Sequence, residues 1–290
     1  MVRDLHRAQE LAAEFGAEHA CDRVDDLLAD PQVDAVYISS PVHLHCEHVL
    51  AAAAQGKHIF CEKPMALTPD ECRQMIAACQ DADVHLEVCF VLRGWPIYQQ
   101  IKQILDQGRL GHLIELRAHL GKWMPRQKGE WRLDPKQGGG GALVDFGSHY
   151  LDLFRYLVGD FARIACMGSS ALFAWEVEES AFALIEFKSG AHATLGASCT
   201  MPHSGNVLEI YGSEGTLLLG EQLRLLTNAG EEVLPAEFPD YYSGLLNNFC
   251  RCVTAGGAPL ASGLDGLRNT EAIATAYLSL QQGHILEVSE

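Results

Sequence analysis

Three short apolar runs, at residues 33–38, 57–61 and 84–90, alternate with two helix-like segments in the first third of the chain. The runs are too short for helices and rich in Val, Ile and Phe, so they read as buried strands. Residues 45–54 form the first intervening helix, ended by Gly56. The second opens at Thr68-Pro69-Asp70-Glu71, with Thr68 as N-cap, Pro69 at the first helical position and Glu71 completing a capping box. Strand, helix, strand, helix, strand is the pattern of a parallel sheet with right-handed crossovers. Ahead of it, Leu5, Ala8, Leu11, Ala12 and Phe15 make one stripe of a surface helix that stops at Gly16.

Beyond Arg93 the pattern changes. A helix over 96–107 leads into an alternating strand at 113–120, and a loop rich in Lys, Arg, Trp and Gly follows. A glycine run then opens a helical unit over 138–158. From 161 to 226 come strands at hairpin spacing, among them 180–187, 191–200, 206–211 and 216–219, with Gly-rich turns between them. Helices at 241–255 and 266–282 close the chain. The expected fold class is α/β: an incomplete Rossmann-like parallel sheet domain over 1–92, then an α+β domain over 93–290 with a large, mostly antiparallel open sheet. The 290 residues suffice for two cores.

A net charge of −17 argues against nucleic acid or an anionic membrane as partner, since both need a basic surface. Ten cysteines occur without a CxxC pair, so they read as reduced thiols of a cytoplasmic protein. The N-terminus is polar from Arg3 and no apolar run approaches membrane-spanning length.

Two motifs carry the chemistry. Cys61-Glu62-Lys63-Pro64 puts a cation and a carboxylate at a strand's carboxyl end, where open α/β sheets present their ligands. Downstream, the glycines at 138–141 precede Asp145 and His149, which share a helix face if the helix is regular. A lysine, an imidazole and a carboxylate to orient it suit proton transfer at a carbinol or carbonyl. Asp-x-x-x-His also suits metal, but the sequence places no third ligand, so no metal is expected.

These residues resemble the Gfo/Idh/MocA oxidoreductases. The likeness rests on Ile38-Ser39-Ser40-Pro41 with His45, on the 56–64 segment containing Glu62-Lys63-Pro64, and on Asp145-x-x-x-His149 followed by Asp152. It implies hydride transfer between NADP or NAD and a sugar, cyclitol, polyol or dihydrodiol. Lys63, Asp145 and His149 would be catalytic, with Arg3, Asp4, Ser39, Ser40, Pro41, His45, Glu62 and Lys63 along the cofactor. Arg93, Trp131 and Asp152, with Tyr98 beside them, would face the substrate. Asp4 suits a ribose hydroxyl, whereas Arg3 and Arg7 suit a 2′-phosphate. The resemblance also implies a homodimer or tetramer through the second sheet. Family members begin with a strand, a G-x-G-x-x-G turn and a helix, and no such fingerprint precedes this chain's first motif. On the order of 30 residues are therefore expected to be missing from the family pattern. Two explanations remain open at this point: a start placed too far downstream or a fragment, and a shortened, non-catalytic binding protein.

Overall fold

The computed structural model describes residues 4–205, 207–235 and 240–288. Helix α1 (Leu5–Phe15) starts on the Asp4 side chain, which accepts from the His6 and Arg7 amides, and ends at Gly16 in the left-handed conformation. None of its residues is buried. A short α2 (Val24–Leu28) leads to the parallel sheet: β1 (Ala35–Ile38), α3 (His45–Ala54), β2 (His58–Cys61), α4 (Pro69–Asp81) and β3 (Leu86–Val88). The order is β1-β2-β3, all parallel, in register Val36–Ile59 and Ile59–Leu86. The Thr68–Glu71 capping box forms as expected. Among the described residues β1 pairs only with β2, which leaves its other edge open.

The second unit starts with α5 (Pro96–Asp106) and β4 (Leu113–Gly121). Next come α6 (Pro135–Gly138), a π-helical turn at Leu143–Gly147 and α7 (Ser148–Val158). Strands β5 (Phe161–Ser169), β6 (Ser180–Phe187), β7 (His192–Ser198), β8 (Val207–Gly212), β9 (Gly215–Leu219), β10 (Leu223–Thr227) and β11 (Gly230–Leu234) follow. Helices α8 (Ser243–Ala255) and α9 (Gly263–Gln282), then β12 (Leu286–Glu287), close the chain. Among the described residues the larger sheet runs β11-β10-β9-β8-β4-β7-β6-β5-β12. Every pairing in it is antiparallel except β4 with β7. Inward positions of β6 (Ala181, Ala183, Ile185, Phe187) are buried, with Phe187 against Phe154 of α7, while Phe182 and Leu184 point outward.

Helix α9 belongs to both units. Gly266 lies so close to Met65 and Val88 that an added Cβ would approach the Met65 sulfur to 2.4 Å. On the same helix the buried Glu271 meets Arg73 of α4 at 2.8 Å, and further along the Ser279 hydroxyl accepts from the Cys166 amide of β5. The two sheets thus share one continuous apolar core. All ten cysteines are free thiols and seven are buried.

Candidate active site

The carboxyl ends of the three parallel strands open onto a single cleft of about 720 Å³. From one side come Ser39 and Ser40 after β1, Glu62-Lys63-Pro64 after β2 and Cys89 after β3. From the other come Lys122, Met124, Arg126 and Trp131 of the loop after β4, the glycines 140 and 141, and Asp145 and His149. His45 braces the near wall. Its Nε2 lies 2.8 Å from the Ser40 carbonyl oxygen, and its Nδ1 lies 3.1 Å from that of Pro64 and 3.3 Å from that of Met65. Burial lowers its pKa, although these carbonyls pull in the opposite direction. The turns after β1 and β2 are therefore held to each other by one ring. Pro41 opens the 3₁₀ turn that leads into α3 and does not line the cleft.

Lys63 and His149 line the same cleft, close enough for the lysine charge to act on the histidine. The Lys63 ammonium donates to the Asp145 main-chain carbonyl at 2.6 Å. Burial lowers the Lys63 pKa, while Asp145 and Glu62 draw it back up. His149 is held well below the ordinary histidine range, first by burial and then by the Lys63 charge. Its Nδ1 is buried and has no hydrogen-bond partner among the described residues. This corrects the expected arrangement: Asp145 does not orient the His149 ring. Its carboxylate pairs with Arg126, which also meets Glu130 at 3.6 Å. The cause is the backbone. Residues 143–147 form a π turn, so the regular helical spacing assumed for Asp145 and His149 does not hold there.

Other candidates separate cleanly. Trp131 lines the cleft, with the Arg132 guanidinium 4.2 Å from its ring centre. Arg93 and Asp152 do not line it. They form a buried bidentate pair, Nε to Oδ2 at 2.9 Å and Nη2 to Oδ1 at 2.7 Å, joined by Asp265 at 3.0 Å. Their polar character serves a junction between elements, because buried charges persist only when paired. Tyr98 is a core residue of α5. Asp4 caps α1, is exposed and lies off the cleft. Arg3 lies outside the described residues. No cluster of three metal-ligating side chains occurs among the described residues.

Several residues in or behind the cleft wall carry no motif in the sequence. Glu62 accepts from Tyr37 of β1 and, at 3.3 Å, from Tyr242 just ahead of α8. Tyr37 sat in an apolar run as an ordinary strand aromatic, and Tyr242 is separated from Glu62 by most of the chain. Arg126 and Lys122 lay in a loop noted for its basic residues, and that density was the available signal. Glu178 had no motif around it at all.

The residues present fit the nicotinamide end of a dinucleotide: strand ends, a lysine and a histidine whose buried Nδ1 has no partner among the described residues line one cleft. Ser39, Ser40 and Glu62 would hold the cofactor from the parallel sheet. No glycine-rich turn for a pyrophosphate occurs at these strand ends among the described residues. A parallel sheet whose strand ends meet a lysine and a histidine beside a large antiparallel sheet is the layout of an α/β enzyme with a cleft at its strand ends. Comparison with known proteins gives the family. Residues 1–90 match the oxidoreductase family with an NAD-binding Rossmann fold, and residues 98–218 match the GFO/IDH/MocA C-terminal domain. The chain is 31% identical to 1,5-anhydro-D-fructose reductase of Ensifer adhaerens, over 92% of this chain and 83% of that protein. It is 28% identical to scyllo-inositol 2-dehydrogenase (NAD(+)) of Bacillus subtilis (strain 168), over 96% of this chain and 84% of that one. Its fold matches that of levoglucosan dehydrogenase in complex with NADH and levoglucosan, with a TM-score of 0.90 and 24% identity, over 99% of this chain and 90% of the other. The chain belongs to the Gfo/Idh/MocA family and is an NAD(P)-dependent oxidoreductase.

Proposed function

We propose that the substrate is a sugar or cyclitol, oxidised at a secondary hydroxyl or reduced at the matching carbonyl, with His149 moving the proton. The observation that carries this is the unpartnered, buried Nδ1 of His149 in the cleft that also holds Lys63. The relatives reported above are named for 1,5-anhydro-D-fructose and scyllo-inositol, which supports the substrate class.

When bound, the nicotinamide supplies or accepts the hydride. The protein's part is the proton and the charge. His149, neutral at pH 7 because its pKa is depressed, is ready to take a hydroxyl proton in the oxidative direction. The Lys63 ammonium stabilises negative charge growing on the same oxygen. Asp145 acts by holding that ammonium through its main-chain carbonyl, while Arg126 fixes its carboxylate. Trp131 and Met124 give the cleft an apolar wall.

The test is turnover of scyllo-inositol, levoglucosan, 1,5-anhydro-D-fructose and D-xylose with NAD or NADP, together with Lys63→Met. The variant is expected to lose about 100-fold or more in kcat. Its NADH affinity, read by fluorescence titration, is expected to change by no more than about threefold, because Lys63 acts on the reacting oxygen rather than on cofactor binding. Near-normal kcat in Lys63→Met removes the lysine from the chemistry. Inactivity on all four compounds with saturable NADH binding moves the substrate to another class. The free thiols suit a reducing cytoplasm, and the outward face of the large sheet suits a homodimer.

A further inference from the structure

We infer that Glu178 is a positioning residue for His149, acting through the glycine turn and π turn that carry the histidine into the cleft. This rests on the assignment of proton transfer to His149.

Glu178 lies just ahead of β6 and is 8% exposed. Its Oε1 accepts from the Leu143 amide at 2.8 Å, and its Oε2 accepts from the Gly141 amide at 3.0 Å. The Tyr277 hydroxyl of α9 donates to the same carboxylate, at 2.9 and 3.0 Å to its two oxygens. The Glu178 main-chain carbonyl accepts from the Ala142 amide at 3.0 Å. Three successive amides at the mouth of the π turn are thus satisfied by one residue. The carboxylate meets only donors, so the arrangement selects its ionised form even though burial pushes its pKa up. An ionised carboxylate at the open N-terminal end of a helical segment is also favoured by the segment's dipole.

The glycines show how tight the seat is. A Cβ on Gly141 would stand 1.8 Å from the Glu178 carbonyl oxygen, and one on Gly140 would stand 1.8 Å from the Tyr277 hydroxyl. The chain touches Glu178 and Tyr277 directly, with no room for a side chain between. From this seat the backbone runs through Leu143–Gly147 and straight into α7, whose second residue is His149. Because the ring makes no hydrogen bond from Nδ1 within the described protein, its aim depends on its backbone. Gly140, Gly141 and Val177, the neighbour of Glu178, also line the cleft, so the clamp lies directly behind its wall.

The deciding variant is Glu178→Gln, whose amide keeps the size but presents an N–H₂ group to one of the donors. With histidine ¹⁵N-labelled full-length protein at pH 7.5, the His149 ring signals are assigned by their loss in His149→Asn. They are expected to move in Glu178→Gln, while NADH affinity stays within about twofold. On the most active sugar of the panel above, kcat is expected to fall about tenfold, as displacement of a catalytic group does. Tyr277→Phe removes one donor but leaves both amide bonds, so its shift and its loss should be in the same direction and smaller. Should Glu178→Gln fail to fold, Tyr277→Phe decides by the same signals. Unmoved His149 signals in a folded variant, whatever its melting temperature, overturn the inference. Moved signals in Glu178→Gln with full turnover in His149→Asn would keep the clamp and overturn the proton-transfer role instead.

Discussion

Glu87 is a carboxylate sealed inside the protein with neither oxygen in a hydrogen bond among the described residues. It sits mid-strand in β3, where the chain alternates little because both faces of the sheet are covered. Burial pushes its pKa from 4.5 up to about 7, against the pull of the nearby Leu260 and Ala261 amides and Arg93. A carboxyl raised in the folded state binds its proton more tightly there than in the unfolded chain. It therefore costs nothing at low pH, and the protein loses stability as pH climbs from the unfolded value to the folded one. Glu87→Gln should leave stability unchanged near pH 4 and raise it above pH 7, by on the order of 2–3 kcal/mol. Denaturant melts at pH 5 and pH 8 measure this. Equal gains at both values would show that the side chain's charge is not the cause.

Between elements, the Arg93–Asp152–Asp265 group ties the turn after β3 to α7 and to the start of α9. Removing one member of a buried ion pair strands the other, at a cost of about 3–5 kcal/mol. Arg93→Met is thus expected to lose that much stability and to leave KM for the active sugar unchanged in the folded protein. Intact stability with a raised KM would return Arg93 to the substrate. The sequence offered Arg93 and Asp152 as polar residues near a cleft, and only the fold tells a buried pair from a binding pair. Elements announced by local physics were readable: α1 by its stripe and Gly16, α4 by its capping box, and β6 by alternation. Others depend on neighbours. Strand β11 carries two adjacent glutamates and almost no burial, and it exists because β10 offers it a ladder, Leu223 to Leu234. The π turn at Leu143–Gly147 has no period of its own, and its leading amide is satisfied by Glu178, 35 residues further along the chain. At the site, Lys63 and His149 could be read because each sits in a compact motif. Glu62's tyrosine partners could not, because they lie on distant elements joined only by folding.

The molecule as a whole combines a charge of −17 with an outward sheet face that is apolar. On that face Met167 is 78% exposed and Leu184 57%, with Phe182 paired opposite both Met167 and Gly196. They surround a hollow of about 1000 Å³ whose flanking charges, Arg117 and Glu209, already pair with each other at 3.4 Å. A contiguous apolar patch of this kind on a folded chain marks an association surface. The homodimer proposed above would cover this face with a second copy, since a two-fold arrangement sets the apolar face against itself. Two chains of equal negative charge repel, so apolar burial has to outweigh that repulsion. Salt then has a defined sign: raising it from about 0.05 to about 0.5 M screens the repulsion and should tighten the dimer. Leu184→Glu should have the opposite effect, placing a carboxylate from each copy in the apolar face and yielding monomer in light scattering at micromolar concentration. Its turnover should persist, because the cleft at the parallel strand ends draws no residue from this face. A wild-type monomer under the same conditions would overturn the dimer, and a dimer that Leu184→Glu leaves intact would put the interface elsewhere.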